Sequence, residues 1–371
     1  MIEGLTAPGF EPVRRAFAAS FEAGWESGAG LAVLRDGAPV VDLWGGHADA
    51  ARARPWRRDT LVNVWSVTKA VAALAVAVLV DRGRLGYAWK VAEVWPAFAA
   101  AGKHDVTIGQ LLSHQAGLCG FRRPDARLED YFDWDAVARE LAAQAPVWPP
   151  GAACGYHPTT FGHLAGELVR RAAGKPFDAF VRDEMTGPLG VDVYIGLPAS
   201  EEARVAAIEP PPPEPAAPGR PDPAWFAANP PLDALAANRR DWRAAVMPAV
   251  NGQATAAGLA LLLDAFAGAR RDGRVRPLSD ATLAALTAVR FEGWDVVLKM
   301  PSRYAAGLFL NDSGYYGPGP RTFGHGGWGG SFAVVDPDRN LAIAYVMNRM
   351  LASEPAALRR KRLYDALYAC L

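Results

Sequence analysis

Ser66-Val67-Thr68-Lys69 places a hydroxyl and an amine three residues apart, just before an apolar run from Ala70 to Val80. Residues three apart share a helix face, so in a helix the Ser66 hydroxyl and the Lys69 amine meet one turn apart. Polar Asn63 precedes the run and Asp81-Arg82-Gly83 closes it. That pattern predicts one buried helix with Ser66 at its N-terminal end. The first turn of a helix exposes unpaired N–H groups and the positive end of the helix dipole. Those groups favour an oxyanion and disfavour an ammonium, so Lys69 is expected to lose its proton readily and act as base to a Ser66 nucleophile. A Ser/Thr cap followed by a solvated lysine would read the same, and S-x-x-K arises by chance in chains of this length.

Two further stretches could complete such chemistry. Gly155-Tyr156-His157 follows a Pro149-Pro150-Gly151 turn. A tyrosine hydroxyl facing a cationic lysine has its pKa lowered and can work as general base or proton relay; the competing reading is a structural tyrosine at a loop-to-helix corner. Gly324-His325-Gly326-Gly327-Trp328-Gly329-Gly330-Ser331 lies between two strand-like segments and holds five glycines in its first seven residues. Glycines let the backbone approach a substrate closely enough for an N–H to meet a developing oxyanion, although a hairpin with glycine bulges is the plainer explanation.

Other chemistries find less support. Cys154, His157 and His163 are near one another, and His114 is near Cys119, but no pair has C-x-x-C or H-E-x-x-H spacing. No metal is expected. A phosphate-binding G-x-x-x-x-G-K-[ST] is absent, and a dinucleotide fingerprint can only be forced onto Gly324 to Gly330 with no following helix, so no cofactor is expected. His325-Gly326-Gly327 resembles the oxyanion loop of α/β-hydrolases, but there is no G-x-S-x-G elbow for it to serve, and that fold is rejected.

The elements that must position these residues follow from the rest of the chain. Its 371 residues exceed one ordinary core, which implies one large or two interleaved domains. Hydrophobic residues make up 51% and charged residues 21%, a globular composition. The 39 basic and 39 acidic residues cancel, so nucleic acid and anionic membranes are not expected partners. Three cysteines, Cys119, Cys154 and Cys370, form no even framework and suit a reducing compartment. Met1 to Phe10 show no basic start or apolar core, so no signal peptide is visible, and Ala70 to Val80 is too short to span a bilayer. A cytoplasmic protein without a membrane span is expected.

Helical spacing appears over Glu11 to Ala23, Asp135 to Ala145, Phe161 to Ala173, Ala256 to Ala267, Asp280 to Val289 and Pro355 to Ala369. Thr107 to Leu118 reads as a short helix ended by Gly117. Gly30 to Leu34 and Val40 to Leu43 flank Asp36-Gly37 as a hairpin. Arg52 to Asp59 reads as a solvated basic loop, and Glu209 to Pro231, with Pro210 to Pro213, as a long proline-rich one. Past Arg303 short strands take over: Tyr304 to Leu310, Thr322 to His325, Ser331 to Asp336 and Leu341 to Met347. Strands at both ends with helices between them predict an α+β fold, an antiparallel sheet flanked by helices and assembled from both chain ends, with an inserted mainly helical domain. The expected division is residues 1–65 with 295–371 for the sheet, and 66–294 for the helical part.

In combination these blocks resemble the serine β-lactamase-like family, above all class C β-lactamases and the related family VIII carboxylesterases. Ser66-Val67-Thr68-Lys69 matches the family's S-x-x-K, and Leu111-Leu112-Ser113-His114-Gln115-Ala116-Gly117-Leu118 resembles L-L-S/T-H-T-S-G-L. Pro150-Gly151 through Tyr156 to Gly174-Lys175-Pro176-Phe177, then Pro188-Leu189-Gly190, resembles the block around the family's Y-S-N. His325-Gly326-Gly327 stands where K-T-G is expected, in the H-G-G form of the esterases. The resemblance implies a β-lactamase/transpeptidase-like fold, Ser66 as nucleophile and Lys69 with Tyr156 as base and proton shuttle. It also implies an oxyanion hole from the backbone N–H groups of Ser66 and Trp328, with His325, Gly326, Gly327 and Trp328 lining the substrate site.

Two departures bear on substrate. Tyr156-His157-Pro158 lacks the asparagine of Y-x-N, and His325 replaces a lysine with a mostly neutral imidazole. Both remove recognition of a β-lactam and leave ester chemistry intact, so a hydrolase of short-chain carboxylic esters is expected, its partner a small-molecule ester. β-Lactamase, D-amino-acid peptidase or amidase, and acyltransferase activities use the same machinery, and an acyl-binding sensor is the non-enzymatic alternative. Trp328, with Trp225 and Phe226 of the proline-rich loop, would make an apolar pocket, although Trp225 and Phe226 read equally well as core.

Overall fold

Nine strands drawn from both ends of the chain pair into one antiparallel sheet. The computed structural model describes residues 1–212, 229–268, 277–311 and 313–371, so Trp225, Phe226 and most of the proline-rich loop lie outside the described residues. From the N-terminal end come β1 (Ile2–Thr6), β2 (Gly28–Arg35) and β3 (Ala38–Gly46). Three short strands lie mid-chain: β4 (Val62–Asn63), β5 (Val193–Tyr194) and β6 (Gln253–Ala254). The C-terminal part supplies β7 (Phe291–Asp295), β8 (Met300–Tyr304), β9 (Phe309–Leu310), β10 (Phe323–Gly326), β11 (Phe332–Asp336) and β12 (Leu341–Met347). The large sheet runs β1-β3-β2-β12-β11-β10-β9-β8-β7, and β4-β6-β5 form a second, small sheet.

The β2–β3 hairpin turns at Asp36-Gly37, whose φ values of 50° and 69° are the left-handed pair that a two-residue hairpin turn demands. Side chains alternate faces along a strand, and the two faces of the large sheet carry different helices. Phe332 and Tyr345 stack at 5.5 Å on one face, and Phe332 stacks in turn on Tyr364 of the C-terminal Ser353–Tyr368 helix at 5.1 Å. Val346, next along β12, points to the other face, which is covered by the Ala256–Ala267 helix. Central strands β11 and β12 are buried throughout, and their continuous apolar sequences reflect cover on both sides.

The Thr68–Asp81 helix is apolar all round, and every residue from Thr68 to Leu79 is buried, as expected for a helix inside a core. It packs on the Thr160–Ala173 helix, which Gly174 terminates at φ 71°. The α+β architecture therefore has the predicted form, an antiparallel sheet from both chain ends with helices between.

Several local expectations need correction. Tyr304 to Leu310 is not one strand: β8 ends at Tyr304, Ala305 N–H bonds Leu308 C=O across a turn, and Gly307 takes φ 82° before β9 begins. Strand structure starts at Phe291 and not past Arg303, because β7 is an edge strand whose Glu292-Gly293-Trp294-Asp295 sequence looks like a loop. The helix expected over Thr107 to Leu118 stops at Leu112, since the Ser113 hydroxyl bonds back to Gly109 C=O and His114 adopts φ 63°. The edge strand β1 and the small β4-β6-β5 sheet had no periodic signal in so few residues. Among the described residues no helix is long and apolar enough to cross a membrane.

Candidate active site

Ser66 sits in a single 3₁₀ turn, Trp65–Val67, that feeds directly into the Thr68–Asp81 helix. Trp65 holds φ 51°, a left-handed conformation costly for a bulky residue, and three bonds sustain it. Thr68 Oγ1 donates to Trp65 C=O at 2.5 Å and accepts from Gly252 N–H at 2.9 Å, while Val64 N–H donates to Gly252 C=O at 2.9 Å. Asn63 anchors the approach: its amide donates to Val250 C=O at 3.0 Å, and its oxygen accepts from Trp242 and Gln253 at 3.0 and 2.9 Å.

Lys69 is fully buried one turn on, with Nζ 3.0 Å from Ser66 Oγ, 2.7 Å from Pro158 C=O and 3.0 Å from Ala249 C=O. No carboxylate is among these partners. Burial alone pushes the amine well below the usual lysine range. The lowering anticipated from the sequence thus has burial as its cause. A neutral amine has two N–H bonds and one lone pair. Once the amine is neutral, the two carbonyls accept its N–H bonds and its lone pair faces the Ser66 hydroxyl.

Tyr156 lies across from this pair. Its hydroxyl hydrogen-bonds the Ser66 side chain, and Lys69 Nζ stands 4.8 Å from the centre of its ring. The expectation that a lysine cation lowers the Tyr156 pKa does not hold. Burial drives the phenol above its ordinary range and the Ser66 hydrogen bond offsets this only in part, so Tyr156 holds its proton more tightly than a free tyrosine. The Tyr156 ring packs on His114 at 4.9 Å and faces Phe309 and His325 at 6.0 Å each.

Three imidazoles surround the group, and none is charged at neutral pH. His157 N–H donates to His114 Nδ1 at 3.2 Å, His157 Nδ1 contacts Gly155 C=O at 2.6 Å, and His157 Nε2 accepts from Leu118 N–H at 3.0 Å. A carbonyl can only accept, which assigns the His157 proton to Nδ1. Burial lowers His157 to about 4 and His325 to about 3, and holds His114 well below the normal histidine range. His325 is 2% exposed and directs Nδ1 to Gly326 C=O at 2.6 Å.

The glycine-rich segment passes beside the Ser66 turn. Ser331 Oγ donates to Val64 C=O at 3.0 Å, and Gly327 and Gly330 close the loop through bonds to Ser331 C=O and Gly327 C=O. Gly327 is required here, because a Cβ would collide with both Ser331 Oγ and the Val64 carbonyl. Trp328 is 41% exposed and packs edge-on against Trp65 at 5.0 Å. The buried Arg359 guanidinium, paired with Glu26 at 3.1 Å, donates to Gly329 C=O at 2.7 Å and ties the loop to the C-terminal helix.

The structure thus gathers Ser66, Lys69 and Tyr156, with His325 facing Tyr156 and with Gly327 and Trp328 against the turn that carries Ser66. Sequence reasoning missed the Pro158 and Ala249 carbonyls, since backbone groups leave no signature in residue type. It also missed Asp295, which accepts the Tyr156 N–H. Among the described residues no group of three or more His, Cys, Asp or Glu could hold a metal ion.

A mixed fold of this kind, with a serine and a buried lysine one turn apart beneath a glycine-rich strand, defines a class. The Beta-lactamase family model matches residues 13–368, and the chain belongs to that family. Among particular proteins, the esterase/beta-lactamase LipL of Mycobacterium tuberculosis is 36% identical over 375 residues, covering 94% of this chain and 83% of that one. The crystal structure of a family VIII carboxylesterase superposes with a TM-score of 0.94 at 45% identity, covering all of both chains. A penicillin-binding protein homolog from Caulobacter crescentus superposes at 0.93, also 45% identical over all of both chains.

Proposed function

We propose that the protein is a carboxylesterase that cleaves short-chain carboxylic esters through a Ser66 acyl-enzyme. The observation that carries this reading is the contact between Lys69 Nζ and Ser66 Oγ at 3.0 Å, with the amine buried and its N–H groups engaged elsewhere. Lys69 takes the Ser66 proton as Oγ attacks the ester carbonyl, and the Ser66 and Trp328 N–H groups receive the oxyanion. Tyr156, still protonated, relays a proton to the departing alkoxide and then assists water in releasing the acid. Which of Lys69 and Tyr156 holds the proton at each stage belongs to the pair and not to either residue alone. His325, Gly326, Gly327 and Trp328 form the substrate wall, which offers apolar surface and no cation. The esterases among the similar proteins support this reading.

A second reading, β-lactam hydrolysis by the same serine, is favoured by one observation: the LipL relative carries both names. A non-catalytic acyl sensor would have no use for a neutral lysine beside a serine. We also propose the division into a sheet part, residues 1–65 and 295–371, and a helical part, residues 66–294, and a cytoplasmic location, which the three free cysteines support. The test of function is rapid mixing with p-nitrophenyl butyrate. A burst of nitrophenolate equal to the enzyme concentration, with a butyryl adduct on Ser66 by mass spectrometry, is expected. An adduct on another residue would overturn the assignment.

A further inference from the structure

We propose that Asp295, at the end of β7, is the positioning residue that aims Tyr156 at Ser66. The proposal rests on the shuttle role of Tyr156 proposed above. Asp295 is fully buried and accepts from four groups. The Tyr156 N–H is shared between Oδ1 at 3.1 Å and Oδ2 at 2.9 Å. Val297 and Leu298 N–H both reach Oδ1 at 2.8 Å, and the Tyr304 hydroxyl donates to Oδ2 at 2.7 Å. No cation is among these donors. A carboxylate buried on dipoles alone is expensive to desolvate, and four hydrogen bonds converging on it fix its orientation tightly.

Those bonds join two segments that the chain keeps 139 residues apart. Cys154 and Asp295 form a parallel β-bridge, and Val296 N–H donates to Cys154 C=O at 2.9 Å. Gly155 leaves room for the hairpin tip, since a Cβ there would strike Val296, Val297 and Trp148. The β7–β8 hairpin is thereby clamped along residues 154–156. The shared bond to Asp295 holds the Tyr156 nitrogen in place, and with it the stretch of backbone from which the phenol reaches toward Ser66. Tyr304 completes the arrangement: its hydroxyl anchors the carboxylate, and its ring packs on His114 at 4.8 Å, which lies in turn under Tyr156.

A residue that acts only through Tyr156 has a distinctive signature. Asp295→Asn keeps one oxygen for the backbone donors but presents an amide N–H₂ where the Tyr156 N–H now finds Oδ2. We expect kcat for p-nitrophenyl butyrate to fall about tenfold with KM within about threefold. In a Tyr156→Phe background the same change should cost less than about twofold, because the group being aimed is gone. Tyr304→Phe, which removes one anchor, should give a smaller kcat loss that vanishes in the same background, and it decides the matter if the Asn variant melts below the assay temperature. Unchanged kcat, or a loss that persists in full when Tyr156 is Phe, overturns the role of Asp295. A Tyr156→Phe enzyme with undiminished kcat would instead overturn the reading of Tyr156 itself.

Discussion

The Lys69 amine faces the Ser66 hydroxyl at 3.0 Å with its remaining hydrogen-bonding directions filled by the Pro158 and Ala249 carbonyls. This geometry sets a buried amine directly against the Ser66 hydroxyl. Replacing Ser66 with Ala removes the nucleophile while adding no volume and opening no cavity in the surrounding core. Ester hydrolysis should drop by at least about a thousandfold, with the melting temperature unchanged within a few degrees. Steady-state rates and a thermal melt of purified Ser66→Ala check this, and activity within tenfold of the parent would remove Ser66 from the mechanism.

Lys69 and Tyr156 both contact Ser66, so they should behave as one unit. Lys69→Ala and Tyr156→Phe should each abolish most of the rate, and the double variant should lose little more. Multiplicative losses would assign them independent roles. A four-member cycle of kcat values is sufficient to distinguish these outcomes.

The pH profile follows from the directions of the two shifts. Lys69 must be neutral to act as base, and burial lowers its pKa, so the rate rises with pH through a value well below the ordinary lysine range. Tyr156 must keep its proton, and burial raises its pKa, so no loss is expected up to the ordinary phenol value of about 10. The expected kcat/KM profile is therefore an acid limb followed by a long alkaline plateau. A rate that falls between about pH 8 and 9 would show that the phenolate is not suppressed as the burial of Tyr156 requires.

Gly327→Ala tests the contact between the glycine-rich segment and the nucleophile turn. The added methyl meets the Val64 carbonyl, a backbone atom one residue before Trp65, so relief requires moving either β10 or the turn. We expect a stability loss of about 1–3 kcal/mol and a kcat loss exceeding about tenfold, read by chemical denaturation and ester assay. A variant with parental stability and rate would show that the two segments are not coupled.

What was legible in the sequence was whatever repeats or carries its own side chain. The Thr68–Asp81 helix announced itself through an unbroken apolar run, and the Ser66–Lys69 spacing followed from helical geometry alone. The β2–β3 hairpin was marked by Asp36-Gly37, whose backbone needs are written in those residue types. Tyr156 was selected only by resemblance, since nothing local separates it from a structural tyrosine. Asp295 was hidden for a different reason: its four donors come from residues 156, 297, 298 and 304, and only folding brings residue 156 to the hairpin. The electrostatic character of the site was also illegible in part. Whether a lysine near a tyrosine is a cation depends on burial, and burial here is complete.

The sharpest test concerns substrate. A β-lactam presents an amide and a carboxylate that a hydrolase must hold throughout acylation and deacylation. In this site Pro158 has no side-chain amide to offer, and its carbonyl is already occupied by Lys69 at 2.7 Å. His325 stands where the resemblance places a cation, but burial lowers it to about 3 and leaves it neutral at pH 7. Each substrate group left unpaired in a buried site costs roughly 1–3 kcal/mol, so two such losses remove about one to four orders of magnitude in rate. A butyrate ester has neither group to satisfy and escapes both losses. The expected kcat/KM for p-nitrophenyl butyrate therefore exceeds that for a chromogenic cephalosporin by at least about a hundredfold at neutral pH. Side-by-side steady-state assays measure the ratio directly. Equal or reversed efficiencies would mean that groups other than Pro158 and His325 recognise the lactam, and the β-lactamase reading would then displace the esterase.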